Sequence, residues 1–298
     1  GSASLELELE VRVRLGSLLT LLHGYSGTAV AAERRRALEL VAQVGTAEHA
    51  LSALWGAWGV ALVSGDFPAA EEAAFELAQA AQRRQDDVLL LAHHHALGQV
   101  RLHQGRLPEA AEHLHRAGAL THENLEDVNL AVFLQHPVVT APAWLAFVLT
   151  LLGDDDAAHA RAEESRLAAV RLGHDYTSAY RTILEGWRCI FRHAPEDALA
   201  TTEAGMAISR EQGFDQLLAF ALAPHGWGLA HTGRTEEGLA ESELGLQLFG
   251  QLPGGHMFDS PMIGVLAEVL AVAGREEEAL AAGLRAVEEA DRTGELFY

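Results

Sequence analysis

The chain has 298 residues, is 49% hydrophobic and carries 21 basic against 42 acidic side chains, for a net charge of -21. Every basic residue among the Lys and Arg is arginine, which excludes a P-loop lysine, a pyridoxal-phosphate Schiff base and a Ser-Lys dyad. An acidic surface repels phosphate backbones, so the composition also argues against direct nucleic-acid binding.

Cys189 is the sole cysteine, which leaves no internal disulfide and no cysteine-rich zinc site. Its apolar surroundings mark it as a small buried hydrophobe. No apolar run reaches the ~20 residues of a spanning helix, and no signal peptide is evident. A soluble, cytoplasmic protein is expected. Gly1-Ser2-Ala3 reads as a vector-derived remnant, residues 4–298 as a single repeat domain, and the whole as a piece of something larger.

One turn recurs about every forty residues with a small residue five positions later: Gly65/Ala70, Gly105/Ala110, Gly153/Ala158, Gly233/Gly238 and Gly274/Ala279, with a degenerate copy at His193/Ala198 and a first copy at Gly27/Ala32. Such a period predicts a solenoid whose units bury their apolar faces by stacking. The expected fold is therefore all-α, with about seven antiparallel helix pairs in a right-handed superhelix.

In chain order, the first inner (A) helix is expected near residues 5–22, although Leu5 to Leu15 alternates as a strand would. Helix is preferred because a lone strand has no sheet to join. Its outer (B) partner follows near 28–44, and the second pair occupies about 48–64 and 67–84. In the third pair, Gln104-Gly105-Arg106-Leu107 forms the turn and Pro108 opens the B helix near 108–120, where its missing N–H costs little. Residues 121–137 then lengthen the spacing and form an inserted loop, either on a functional face or as a passive spacer. Later pairs are expected near 137–152 and 155–172, 176–192 and 195–212, 216–232 and 235–250, and 259–273 and 276–292. Gly45, Gly173, Gly213 and Gly294 suit left-handed C-terminal caps.

Counting back from each turn residue aligns the A helices. The sixth position back holds Phe147, Trp187 and Trp227; seven further back stand Thr140, Tyr180 and Phe220. These place aromatics on one stripe, either as the wall of a ligand groove or as packing between repeats. Arg181, Glu185, Arg188 and Glu268 could supply polar contacts or be solvated flank charges. His95 and Gln99, four residues apart, share a face that would extend the groove into the third repeat.

Of the 16 histidines, three are consecutive, His93, His94 and His95. Neighbours on a helix diverge, and His113 and His115 are wrongly spaced for one face, so no metal site is expected. Asp154-Asp155-Asp156 and Glu276-Glu277-Glu278 stand where acidic residues favour a helix N-terminus, and they read as caps and solvated faces. No serine-hydrolase elbow, zincin helix or dinucleotide loop occurs, so neither catalysis nor a cofactor is expected.

Ala96-Leu97-Gly98 through Gly105 to Pro108-Glu109-Ala110 resembles the tetratricopeptide (TPR) pattern, with a period longer than that family's usual one. Across nearly the whole chain a second set of segments can be picked out: Gly24-Tyr25 with Arg36-Ala37-Leu38-Glu39-Leu40, Ala53-Leu54-Trp55-Gly56, Gln135-His136-Pro137, Leu172-Gly173-His174, Gly226-Trp227 and Arg292-Thr293-Gly294-Glu295-Leu296-Phe297-Tyr298. Their order resembles the C-terminal TPR-like region of large bacterial STAND-type regulators, including LuxR-type transcriptional regulators and class III adenylate cyclases with a predicted ATPase. The resemblance implies a non-catalytic array that senses a small-molecule effector or a peptide or protein partner, and restrains an upstream ATPase domain. Alternatives are an interaction scaffold for a peptide, a partner or that ATPase, and a homo-oligomer formed through the N-terminal repeat or the C-terminal end.

Overall fold

In the computed structural model the repeat period becomes a series of helix pairs; the structure describes residues 2–23, 28–120, 133–251 and 257–298. Gly24-Tyr25, the Gly27 turn and residues 121–132 of the insertion lie outside these. The described residues form fourteen α-helices and no strand: α1 (Ser2–His23), α2 (Thr28–Val44), α3 (Ala47–Val63), α4 (Phe67–Arg84), α5 (Asp87–His103), α6 (Leu107–Leu120), α7 (Pro137–Leu151), α8 (Asp155–Leu172), α9 (Asp175–Phe191), α10 (Pro195–Gln212), α11 (Asp215–His231), α12 (Thr235–Gly250), α13 (Asp259–Val272) and α14 (Glu276–Thr293). Odd-numbered helices from α3 to α13 pack on one another in an inner layer, and each even-numbered helix from α2 to α12 lies outside, wedged between the inner helices of its own and the next repeat; α14 packs on α13.

The turn between inner and outer helix is the same device six times. Gly65, Gly105, Gly153, Gly233 and Gly274 are left-handed, and His193 adopts the same conformation at φ 50°. The amide following each bonds back five residues, Asp66 to Ala61, Arg106 to Arg101, Asp154 to Leu149, Ala194 to Cys189, Arg234 to Leu229 and Arg275 to Leu270, at 2.8–3.0 Å. That bond closes a Schellman motif and satisfies a carbonyl the helix end would leave open. The small residue five positions on is then pressed against the inner helix: Ala70, Ala110, Ala158 and Ala198 are all fully buried. At Gly238 the approach is closer still, since an added Cβ would lie 2.4 Å from the Gly226 carbonyl oxygen.

Side chains at helix starts behave as read from the sequence. Asp154 accepts from the Ala157 amide at 3.2 Å, with Asp155 and Asp156 in the first turn behind it. Glu276, Glu277 and Glu278 occupy the first turn of α14. Helix ends differ in one place: Gly173, Gly213 and Gly294 are left-handed caps, Gly45 is not, and Gln85 takes that conformation after α4. The Gly45 expectation is thus corrected; an added Cβ there would meet the Val41 carbonyl at 2.7 Å, so closeness to the preceding turn explains the glycine.

The alternation from Leu5 to Leu15 forms helix because period two contains the i, i+4 spacing twice. Leu5, Leu9 and Val13 make one stripe that packs with Ala37 and Leu40 of α2 and Ala53 of α3. Leu7, Val11 and Leu15 make a second stripe that faces solvent, 63%, 55% and 39% exposed.

The array coils until its end meets its early repeats. The Met257 amide, ahead of α13, donates to the Val63 carbonyl of α3 at 3.1 Å. After α14 the chain runs back, and the Leu296 amide donates to the His103 carbonyl of α5 at 2.7 Å. Glu295, 2% exposed, bonds His103 Nδ1 at 2.7 Å and accepts from the Phe258 amide at 3.1 Å. Phe258 and Phe297 seal the junction, their rings 5.4 Å apart. The core consequently runs continuously from α5 to the C-terminal residues.

Two outcomes test this packing. Gly238→Ala should destabilise the protein by about 1–3 kcal/mol through overpacking against backbone, whereas Gly283→Ala in α14, where nothing lies within 4 Å, should stabilise it by about 0.5–1 kcal/mol; chemical denaturation measures both. Glu295→Ala strands His103 and the Phe258 amide in the core and should cost about 3–5 kcal/mol, with amide exchange at Leu296 accelerating as the junction opens.

Candidate functional site

Between the inner helices a cleft of about 790 Å³, including its open mouth, remains beside the Phe258 junction. α3 contributes Trp58, Gly59 and Leu62, α5 contributes His95 and Gln99, and α7 contributes Thr140 and Trp144. Tyr176 and Tyr180 come from α9, and Gln216, Leu217 and Phe220 from α11. Phe249, Met257 and Phe258 close the far side.

Local structure explains how these side chains are held. Phe133, fully buried, packs edge-on to Trp55 with ring centroids 4.7 Å apart, anchoring the exit of the insertion beneath the cleft. Gln135 follows it into the wall, and His136 then caps α7 by accepting from the Val138 amide at 3.2 Å. The His136 amide donates to Thr177 Oγ1 at 3.1 Å, which locks this corner to α9. Phe258, left-handed at φ 70°, is held by Glu295 and by Trp144, Trp187 and Phe220 around its ring.

Among the described residues that line the cleft, none carries a charged side chain. Its polar groups are the carboxamides of Gln99, Gln135 and Gln216, the hydroxyls of Thr140, Tyr176 and Tyr180, and His95. Burial pushes the His95 pKa down to about 3, so its ring is neutral. Gln99 is 5% exposed and its side chain lines the cleft. Among the described residues, His95 Nδ1 and Trp58 Nε1 are buried without a hydrogen-bond partner. A set of neutral donors and acceptors on apolar walls suits an uncharged, amide-bearing ligand and offers no counter-charge to an anion.

The candidate groove residues divide into two groups. His95, Gln99, Tyr180 and Phe220, with Thr140, line the cleft. Phe147, Trp187 and Trp227 do not; each is at most 1% exposed. Phe147 packs on Phe297, and Trp187 stacks on Phe220 and donates to its carbonyl at 3.2 Å. Trp227 donates to Glu268 at 2.8 Å, and Glu268 in turn accepts from the Tyr298 hydroxyl at 3.0 Å. Within repeats four to six, Phe297 packs on Phe147, Phe258 on Trp187, and Glu268 bonds Trp227, while Thr140, Tyr180 and Phe220 remain in the cleft wall.

Arg188 lies away from the cleft. It is 3% exposed, paired with Glu185 at 2.5 Å and bonded to Thr150 at 3.1 Å, beside a separate small cavity lined by Arg181 and Ser165. Cys189 is fully buried, and desolvation pushes its thiol up to about 12.

Sequence reading missed Tyr176, Gln216, Trp58, Trp144 and Gln135. Tyr176 and Gln216 stand one helical turn before Tyr180 and Phe220 on the same stripe, so extending the count back by four residues reaches them. Phe258 carried no repeat signal. The histidines also require a correction. His95 turns to Trp55, with ring centroids 5.6 Å apart, but His93 and His94 come together with His113 of α6, offering ring nitrogens within 4.8 Å of one another. Divergence on the helix applies to the Cα–Cβ directions, and long imidazole side chains bend back across it.

No protein-family model and no curated protein matches the chain. Solved structures do. A Rap protein complexed with competence and sporulation factor superposes with a TM-score of 0.62 at 11% identity, over 98% of this chain and 78% of that one. NprR in complex with its cognate peptide NprX gives 0.57 at 17% identity, over 96% and 78%. A STAND protein with a tetratricopeptide repeat sensor, from Pyrococcus horikoshii, gives 0.50 at 14% identity, over 90% of this chain and 41% of that one. At these identities what is shared is the fold, a TPR-like helical-repeat array.

Proposed function

We propose that the chain is a non-catalytic sensor module that seats a short, uncharged stretch of peptide in the cleft between its inner helices. The supporting observation is two buried nitrogens without a partner among the described residues, His95 Nδ1 and Trp58 Nε1, in a wall whose described polar groups, the Gln99 carboxamide among them, are all neutral. Peptide bonds present the matching N–H and C=O groups, and the Tyr176, Tyr180 and Trp58 rings supply apolar contact. Two of the similar structures are titled as complexes, one with competence and sporulation factor and one with a cognate peptide. In this reading the module belongs to a larger cytoplasmic bacterial signalling or transcription regulator of the STAND type. The nucleotide switch lies outside these residues, and occupancy of the cleft is what the switch reads.

A second reading is an interaction scaffold for a neighbouring protein domain such as the regulator's own ATPase. It is favoured by the solvent-facing stripe of Leu7, Val11 and Leu15.

Affinity selection from a pool of end-blocked hexapeptides lacking charged side chains, read by native mass spectrometry, separates the two. Retention of a subset by the wild-type chain supports the sensor reading, with affinity at least about tenfold weaker in Gln99→Ala, the equivalent of about 1.4 kcal/mol, and abolished in Gln216→Trp. Affinity should stay flat between pH 5 and 8, because His95, the histidine among the described wall residues, titrates far below that window. Retention of nothing, or equal retention by folded Gln216→Trp, overturns the sensor reading.

A further inference from the structure

The third repeat brings three imidazoles from two helices to one point. His93 and His94 of α5 and His113 of α6 each offer a ring nitrogen, and all three atoms lie within 4.8 Å of one another. His93 is 7% and His94 9% exposed, while His113 is half-buried and opens the cluster to solvent. We propose that these residues form a binding site for a divalent transition ion of the zinc class, with water completing the coordination on the His113 side. The site is separate from the cleft and does not depend on the function assigned to it.

Hydrogen bonding already prepares the ligands. His93 Nδ1 lies 2.7 Å from the Ala74 carbonyl of α4, which can only accept, so the ring carries its proton there and its lone pair is on Nε2. That arrangement, one ring nitrogen donating to a backbone carbonyl and the other free, is how metal-bound histidines are usually oriented. His94 Nδ1 and His113 Nδ1 are 2.9 Å apart, a contact that requires a lone pair on at least one ring. An ion with bonds of about 2.0–2.1 Å in tetrahedral geometry separates its ligand nitrogens by about 3.3 Å. The pair therefore opens slightly, and the proton between the rings moves to the outer nitrogen of its own ring. No net proton is released.

The donor set selects the ion. Three neutral imidazoles without carboxylate or thiolate suit zinc, copper, nickel or cobalt, and not calcium or magnesium, which prefer oxygen. Cations near the cluster are already paired: Arg116 with Glu112 at 2.6 Å, and Arg101 with Glu71 and Glu109 at 2.6 and 3.4 Å. An ion here would tie α5 to α6, and through Ala74 to α4, stiffening the repeat that also supplies His95 and Gln99 to the cleft.

The test uses the untagged full chain, stripped with chelator and titrated with zinc chloride in a calorimeter and with cobalt chloride in a spectrophotometer. Expected are one ion per chain, a low-symmetry cobalt visible spectrum and a zinc-dependent rise in melting temperature. Loss of an outer-shell partner costs about 10–100-fold in affinity, so loss of a ligand in His113→Ala or His94→Ala should cost no less. The exposed His159, bonded to its own helix at the Asp155 carbonyl, provides the control, and His159→Ala should bind as wild type. Circular dichroism identifies any variant that fails to fold; His113→Ala, on the solvent side, is the one least exposed to that failure. Absence of stoichiometric zinc binding by the wild-type chain, or undiminished binding by folded His113→Ala, overturns the site.

Discussion

Glu295 exchanges water for His103 and the Phe258 amide, and the closed form of the array depends on that exchange. Burying a carboxylate costs several kcal/mol unless its oxygens are met by well-placed donors. Here both oxygens are met, one by an imidazole from the third repeat and both by an amide from the start of the seventh. The neighbouring Leu296 amide adds a bond to the His103 carbonyl, so two successive residues of the returning chain are held to one residue of α5. Helical repeats ordinarily contact only their neighbours. This junction instead spans 192 residues of sequence and turns an open coil into one whose late repeats brace its early ones.

The closure decides what becomes of the aromatic stripe. An open array would present Phe147, Trp187 and Trp227 to whatever entered its concave side. With Phe297 packed on Phe147, Phe258 on Trp187, and Glu268 bonded to Trp227, these rings become core, and aromatic contacts replace hydration. What is left for a ligand is the space that the ends do not fill, bounded by Trp58, Gln99, Tyr180 and Gln216. The same stripe thus serves stability along one stretch and presents a surface along another, and the boundary between the two is drawn by the junction and not by the repeat itself.

Local rules made the helices legible. A left-handed turn residue followed by a small residue five positions later marks the six pairs from α3 onward, even where histidine replaces glycine, because the Schellman bond and the close helix contact need only those two properties. Gly45 was misleading because a glycine selected for closeness to Val41 looks, in sequence, like one selected for positive φ. The stripe at Thr140, Tyr180 and Phe220 was legible for the same reason as the turns, being a fixed offset on an inner helix. Its partial burial was not, since that follows from superhelical twist and from a contact between residues 103 and 295 that leaves no periodic trace. His93, His94 and His113 show the limit from another side: helix geometry places Cα atoms well but does not place nitrogens several bonds further out.

Phe258 belongs both to the junction and to the cleft. A non-glycine residue at φ 70° carries strain of about 1–3 kcal/mol, and it persists because its amide is bound to Glu295 while its ring is fixed between Trp144, Trp187, Phe220 and Phe297. The same ring forms part of the cleft wall. The residue whose backbone amide the junction holds is therefore also a residue of the cleft wall. The junction and the cleft thus meet in one residue whose backbone is strained, rather than through a path of intermediates.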